Sequence, residues 1–201
     1  LSGTQLSALP RLPKRLRQAN FSGNALTAVE PERLEGLTRL RVLNLNGNQL
    51  HAFKVPVTGL KRLRTLCLGF NHLTCLERSL MRLVPNLRTL MLADNRLTEI
   101  TAQSMQGPPG YPSRLRHLSL AGNAIQRIED GAFSGQLALQ LLDLEDNRLC
   151  ELSHIFPKTS ALMRINLSHN LLRAIGDGLF GGMSNLRELD LSHNQIANVS
   201  E

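Results

Sequence analysis

A phrase of the form Leu-x-x-Leu-x-Leu-x-x-Asn-x-Leu recurs, with substitutions, eight times along this 201-residue chain. The copies begin at Leu16, Leu40, Leu63, Leu87, Leu115, Leu139, Leu162 and Leu186. Their asparagines are Asn24, Asn48, Asn71, Asn95, Asn123, Asn147, Asn170 and Asn194, separated by 24, 23, 24, 28, 24, 23 and 24 residues. In the second copy Leu43 and Leu45 lie two residues apart, so a short strand turns both to one face. Leu40 and Leu50 join them inside, while Val42 and Asn44 face the other way. No unit of this size can bury its own leucines, so each must stack on the next and share one interior. Stacked strands make a parallel sheet about 4.8 Å per step, and the remainder of each repeat supplies the long crossover that parallel neighbours need.

The asparagine has a separate task. Where the chain turns inward after the strand, backbone N–H and C=O groups lose their ladder partners. A side-chain amide offers two donors and an acceptor to tie them to the neighbouring turn. Left unpaired, each buried group would cost about 1–3 kcal/mol. The eight asparagines are therefore expected to form a structural ladder rather than a site.

The second half of the repeat carries its own signature. Ile125-Gln-Arg-Ile128-Glu-Asp-Gly131-Ala-Phe133 and Leu172-Arg-Ala-Ile175-Gly-Asp-Gly178-Leu-Phe180 are near copies, and Phe133, Phe156 and Phe180 are expected to stack as an outer aromatic spine. The whole pattern resembles the leucine-rich repeat family, in the 24-residue form common in animal extracellular proteins. That resemblance implies an α/β solenoid, a curved horseshoe with a concave parallel sheet of about eight short strands. Its convex side would be irregular, 3-10 or short-helical. Toll-type receptors, chaoptin-like adhesion proteins and small matrix proteoglycans share this form. Gln5-Leu-Ser-Ala-Leu9-Pro-Arg-Leu12-Pro resembles the entry that follows an N-terminal cysteine cap in such proteins, although the cap's cysteines are absent. The expectation is one domain over residues 1–201, eight repeats drawn from a longer protein without its cysteine-rich caps.

Composition narrows the function classes. No run of about 20 apolar residues occurs, so no transmembrane segment is predicted. Three cysteines, Cys67, Cys75 and Cys150, make a poor disulfide framework and read as free thiols, which argues for a reducing compartment and a cytoplasmic alternative. Three glycosylation sequons, at Asn20, Asn166 and Asn198, argue for the secretory pathway and extracellular or cell-surface placement. The net charge of +7 is uneven: residues 1–100 carry 15 Lys and Arg against 6 Asp and Glu, residues 101–201 carry 8 against 10. The lone histidines His117, His169 and His193 lack metal-ligand spacing. Gly176-Asp-Gly178-Leu-Phe-Gly181 matches a dinucleotide-binding pattern but sits in the outer half of a repeat, where turn geometry accounts for it. No catalytic residues, metal ligands or cofactor are expected, and with aromatics at 3% a nucleic-acid partner finds few stacking platforms.

The candidate site is the outward row of the strands. Val42, Asn44, Thr65, Cys67, Phe70, Thr89, Met91 and His117 are the expected partner-binding positions, with a mildly apolar patch over the second to fourth repeats. Valine and threonine also suit a pleated surface in their own right. Asp143, Glu145, Asp146, Glu188 and Asp190 form an acidic area further along. Arginines just after the first leucine, at 17, 41, 64, 88 and 116, form a possible basic edge for sulfated glycan. Gln106-Gly-Pro-Pro-Gly-Tyr-Pro-Ser113 fills the 28-residue interval as a bulging surface loop. The resemblance implies non-catalytic recognition of a protein ligand or a homophilic partner by a receptor or adhesion ectodomain. The alternatives are a matrix protein binding sulfated glycan and an intracellular scaffold.

Overall fold

A computed structural model describes residues 1–78, 80–157, 161–176 and 178–199, with backbone only for the last two. Each repeat contributes a three-residue strand wherever the leucine pair occurs. These are β1 (Gln18–Asn20), β2 (Val42–Asn44), β3 (Thr65–Cys67) and β4 (Thr89–Met91). After the short strand β5 (Glu99–Ile100) come β6 (His117–Ser119), the short β7 (Arg127–Ile128), β8 (Leu141–Asp143) and β9 (Arg164–Asn166). The chain closes with β10 (Ala174–Ile175), β11 (Glu188–Asp190) and β12 (Asn198–Val199). Eight strands form one parallel sheet in the order β1-β2-β3-β4-β6-β8-β9-β11, while β5 pairs with β7 and β10 with β12 in two small ladders elsewhere. Among the described residues, three four-residue helices interrupt the crossovers: α1 (Pro31–Leu34), α2 (Leu80–Leu83) and α3 (Ala102–Met105). Pro31 starts α1, where its missing N–H costs nothing, and Thr101 caps α3 by accepting from the Ser104 N–H at 3.1 Å.

Register follows the repeat without a slip. Leu43 pairs with Leu66, Leu66 with Leu90, Leu90 with Leu118, Leu118 with Leu142, Leu142 with Ile165, and Ile165 with Leu189. From Leu43 to Ile165 these side chains are at most 2% exposed, whereas Leu189 on the last strand is 37% exposed. Burial of a repeat's leucine therefore depends on a neighbour on both sides. Phe133 and Phe156 stack with centroids 6.0 Å apart, and Phe156 and Phe180 follow at 6.3 Å.

The asparagines close each turn against the preceding one. Asn95 donates from Nδ2 to the carbonyls of Leu68 at 2.9 Å and Leu92 at 3.0 Å, and its Oδ1 accepts from the Leu73 N–H at 3.0 Å. Asn48, Asn71, Asn123, Asn147, Asn170 and Asn194 repeat the arrangement. Asn24 does the same at the first repeat, reaching the Leu6 N–H at 2.9 Å and the Leu1 carbonyl at 2.8 Å.

Gly178 lies in the left-handed region at φ +69°, and a Cβ on Gly181 would come within 3.1 Å of the Gly178 carbonyl oxygen. The Gly181 N–H donates to that same oxygen, so this glycine cluster makes a turn. The proline-glycine segment preceding β6 is a surface loop with Tyr111 74% exposed.

Candidate functional site

The open face of the sheet carries two rows of side chains fixed by strand register. One runs Val42–Thr65–Thr89–His117 and the other Asn44–Cys67–Met91–Ser119. All of the strand residues expected to bind a partner lie in these rows. His117 is exposed and the other six are half-buried. Phe70 stands apart from them, 61% exposed in the turn after β3, at the rim where the strands end. Burial raises the Cys67 thiol above its ordinary pKa, which keeps it protonated and apolar at neutral pH. Cys67, Cys75 and Cys150 are all unbridged.

A feature the sequence reading missed changes how the second row is understood. In five of the eight strands its residue is Asn or Asp, and the side-chain oxygen accepts the N–H two residues on. The pairs are Asn20 with Ser22, Asn44 with Asn46, Asp143 with Glu145, Asn166 with Ser168 and Asp190 with Ser192. Such Asx turns frame the bend out of the strand. Asn44 thus frames its own turn through Oδ1 while standing half-buried in the open-face row. Ser119, in the same row, is 8% exposed and donates to Asp143 at 3.3 Å. Only β3, β4 and β6 lack the Asx residue, and two of these carry Cys67 and Met91 instead. The signal was available: Asn or Asp four residues before a ladder asparagine marks the capped turns.

The residue before every ladder asparagine is left-handed. Gly23, Gly47, Phe70, Asp94, Gly122, Asp146, His169 and His193 all have φ between +49° and +64°. Glycine adopts this region freely, and Asp and His are the side chains that tolerate it better than most. Phenylalanine does not belong to that group, so Phe70 holds a conformation that a bulky residue rarely takes. It sits after Gly69, where a Cβ would lie 3.1 Å from the Ala93 carbonyl oxygen, so no larger residue fits there without displacement.

The acidic area is largely engaged within the protein. Arg164 pairs with Glu188 at 2.5 Å, and Asn166 donates to Glu145 at 3.1 Å. Hydrogen bonds from the Ser192 side chain and backbone hold the Asp190 carboxyl below its usual range. The sequons differ in availability. Asn20 is exposed and its amide nitrogen makes no hydrogen bond among the described residues, whereas the Asn166 amide nitrogen is occupied by Glu145. The Asn198 side chain and its sequon serine, Ser200, lie outside the described residues. No group of three or more metal-ligating side chains occurs among the described residues.

The repeat, its register and its asparagine ladder define a leucine-rich repeat solenoid, and comparison with known proteins agrees. A leucine-rich repeat family model matches residues 85–149, 113–160 and 160–201, more than half of the chain. The chain belongs to the leucine-rich repeat family, whose members of this kind are non-enzymatic binding proteins. It is 34% identical over 153 residues to human leucine-rich repeats and immunoglobulin-like domains protein 1, covering 75% of this chain and 14% of that one. Human podocan-like protein 1 is 35% identical over 76% of this chain and 30% of its own length. Human keratocan is 28% identical over 73% and 34%. The chain thus spans about a seventh to a third of these relatives. Among solved structures, a leucine-rich repeat protein of Leptospira interrogans superposes with a TM-score of 0.77 at 27% identity, over 93% of this chain and 45% of that one. The TLR13–ssRNA13 complex matches with a TM-score of 0.66 at 21% identity, over 90% and 30%, and shares the fold alone.

Proposed function

We propose that the chain is a recognition module of an extracellular receptor or adhesion protein, and that it binds a protein partner through the concave face over β2–β4 and the adjoining rim, where Phe70 is its apolar anchor. One observation carries this reading. In two consecutive repeats the framing Asx residue gives way to Cys67 and Met91, and the left-handed turn between them takes Phe70 in place of Gly, Asp or His. Three departures from local turn chemistry fall on one stretch of surface, and each leaves an apolar group facing out. Exposed aromatic and methionine side chains on a rigid surface are the usual centres of binding energy. The backbone is already ordered by the ladder, so binding orders only side chains. The partner is a different protein or a second copy of this one. Secretion is supported by the open Asn20 sequon and by the repeat's likeness to the relatives above.

The test is site-specific photo-crosslinking on living cells. A photoreactive phenylalanine analogue in place of Phe70 is expected to capture a discrete protein, while the same analogue at Arg173, on the far side of the repeat, captures none. Equal labelling from both positions, or none from either, refutes the concave-face reading.

A further inference from the structure

A second surface, away from Phe70, has different chemistry. At the N-terminal ends of the strands the arginine backbones are chained to one another. The Arg41 N–H donates to the Arg17 carbonyl at 2.7 Å, Arg64 to Arg41, Arg88 to Arg64 and Arg116 to Arg88 at 2.8 Å. Their Cα atoms therefore advance one repeat at a time, about 4.8 Å per step. The structure adds what the arginine spacing alone did not reveal, a parallel basic row two residues earlier. Arg62 and Arg114 belong to it, and Asn86 between them accepts from Arg114 at 2.8 Å and donates to the Lys61 carbonyl at 2.7 Å. The two rows enclose a cleft of about 260 Å³ lined by Arg41, Lys61, Arg62, Arg64, Asn86, Arg88 and Arg114. It continues into a second, of about 260 Å³, between Arg88, Arg114, Arg116 and Ala138. Every lysine and arginine there is exposed, and no acidic side chain lines either part.

We infer that this cleft is a binding site for a linear sulfated glycan, separate from the concave face. So many uncompensated guanidinium groups repel one another in the free protein, and an anion relieves that repulsion. Arginine forks match the paired oxygens of a sulfate, and their repetition along the solenoid axis fits a ligand with charge repeated along its length. A protein partner would want an apolar centre, and the lining offers none larger than Ala138. A nucleic acid would want aromatic platforms, and no aromatic side chain lines the cleft.

Heparin is the probe, with N- and O-desulfated heparin and oligouridine RNA as competitors, measured across a salt series. Wild-type protein is expected to stay bound at physiological ionic strength. The Arg62→Ser/Arg64→Ser/Arg88→Ser variant should bind about tenfold or more weakly, whereas Arg127→Ser/Arg148→Ser/Arg173→Ser, which removes equal charge elsewhere, should change little. In unsubstituted protein, heparin should shield Lys61 from acetylation and leave Lys54 reactive, a readout independent of variant folding. Equal loss in both variants, competition by desulfated heparin, stronger competition by RNA, or uniform lysine shielding would each overturn the site. Crosslinking from position 70 should persist in the cleft variant, which separates this inference from the concave-face reading.

Discussion

The position ahead of each ladder asparagine demands a left-handed backbone, and Phe70 meets that demand at a cost. A Cβ in this region costs roughly 1–2 kcal/mol, while glycine gives back about 0.5–1 kcal/mol in unfolded-chain entropy. Phe70→Gly is therefore expected to stabilise the fold by up to about 1 kcal/mol in denaturant melts while removing partner capture. Loss of stability in that variant would show that Phe70 packs as framework. Cys67 and Met91 follow the same logic more mildly, because each forgoes the Asx turn that Asn44 and Asp143 make.

A single turn of the solenoid is held by its leucines and by one amide. Asn95→Ala leaves the Leu73 N–H without its acceptor and removes one of the two amide donors to the Leu68 and Leu92 carbonyls, which keep Asn71 and Asn123. Thermal and denaturant unfolding should register a loss of about 2 kcal/mol, the scale of one buried donor left unsatisfied and two carbonyls left with a single donor each. Asn24→Ala, whose bonds to Thr4 and Leu1 lie in the exposed first repeat, should cost about 1 kcal/mol on the same scale. Similar losses at the two asparagines would mean that burial does not set the strength of the ladder.

Across the whole array each repeat draws its interior from both neighbours. Leu90 is fully buried between Leu66 and Leu118, whereas Leu189 meets Ile165 on one side and remains 37% exposed. Leu90→Ala should cost about 2–5 kcal/mol in denaturant unfolding, and a smaller loss would show that the leucine is not shared between repeats. Charge is distributed on the same scale. Five of the 15 Lys and Arg of residues 1–100 line the cleft, and in the later repeats Arg164 is matched by Glu188.

The eight strands of the main sheet, their pairing order and register, and the asparagine ladder were all legible in the sequence, because each follows from local periodicity repeated at a nearly constant interval. Leu43, Leu66 and Leu90 can reach a common interior in only one register, and Asn48, Asn71 and Asn95 then meet the turns before them. The two strand rows of the candidate site follow from the same alternation. Other features depended on groups meeting across repeats or on backbone angles that residue names do not display. The left-handed turn under Phe70 carries no single residue type as its mark, since Gly, Asp and His also occupy it. The Asx role of Asn44 was not legible because alternation specifies a face, not a hydrogen-bond partner. The basic cleft required Lys61, Arg62 and Arg114 to converge on Arg64 and Arg88 from three successive repeats. Periodicity determines which residues lie inside, whereas only the stacked chain determines which surface groups become neighbours.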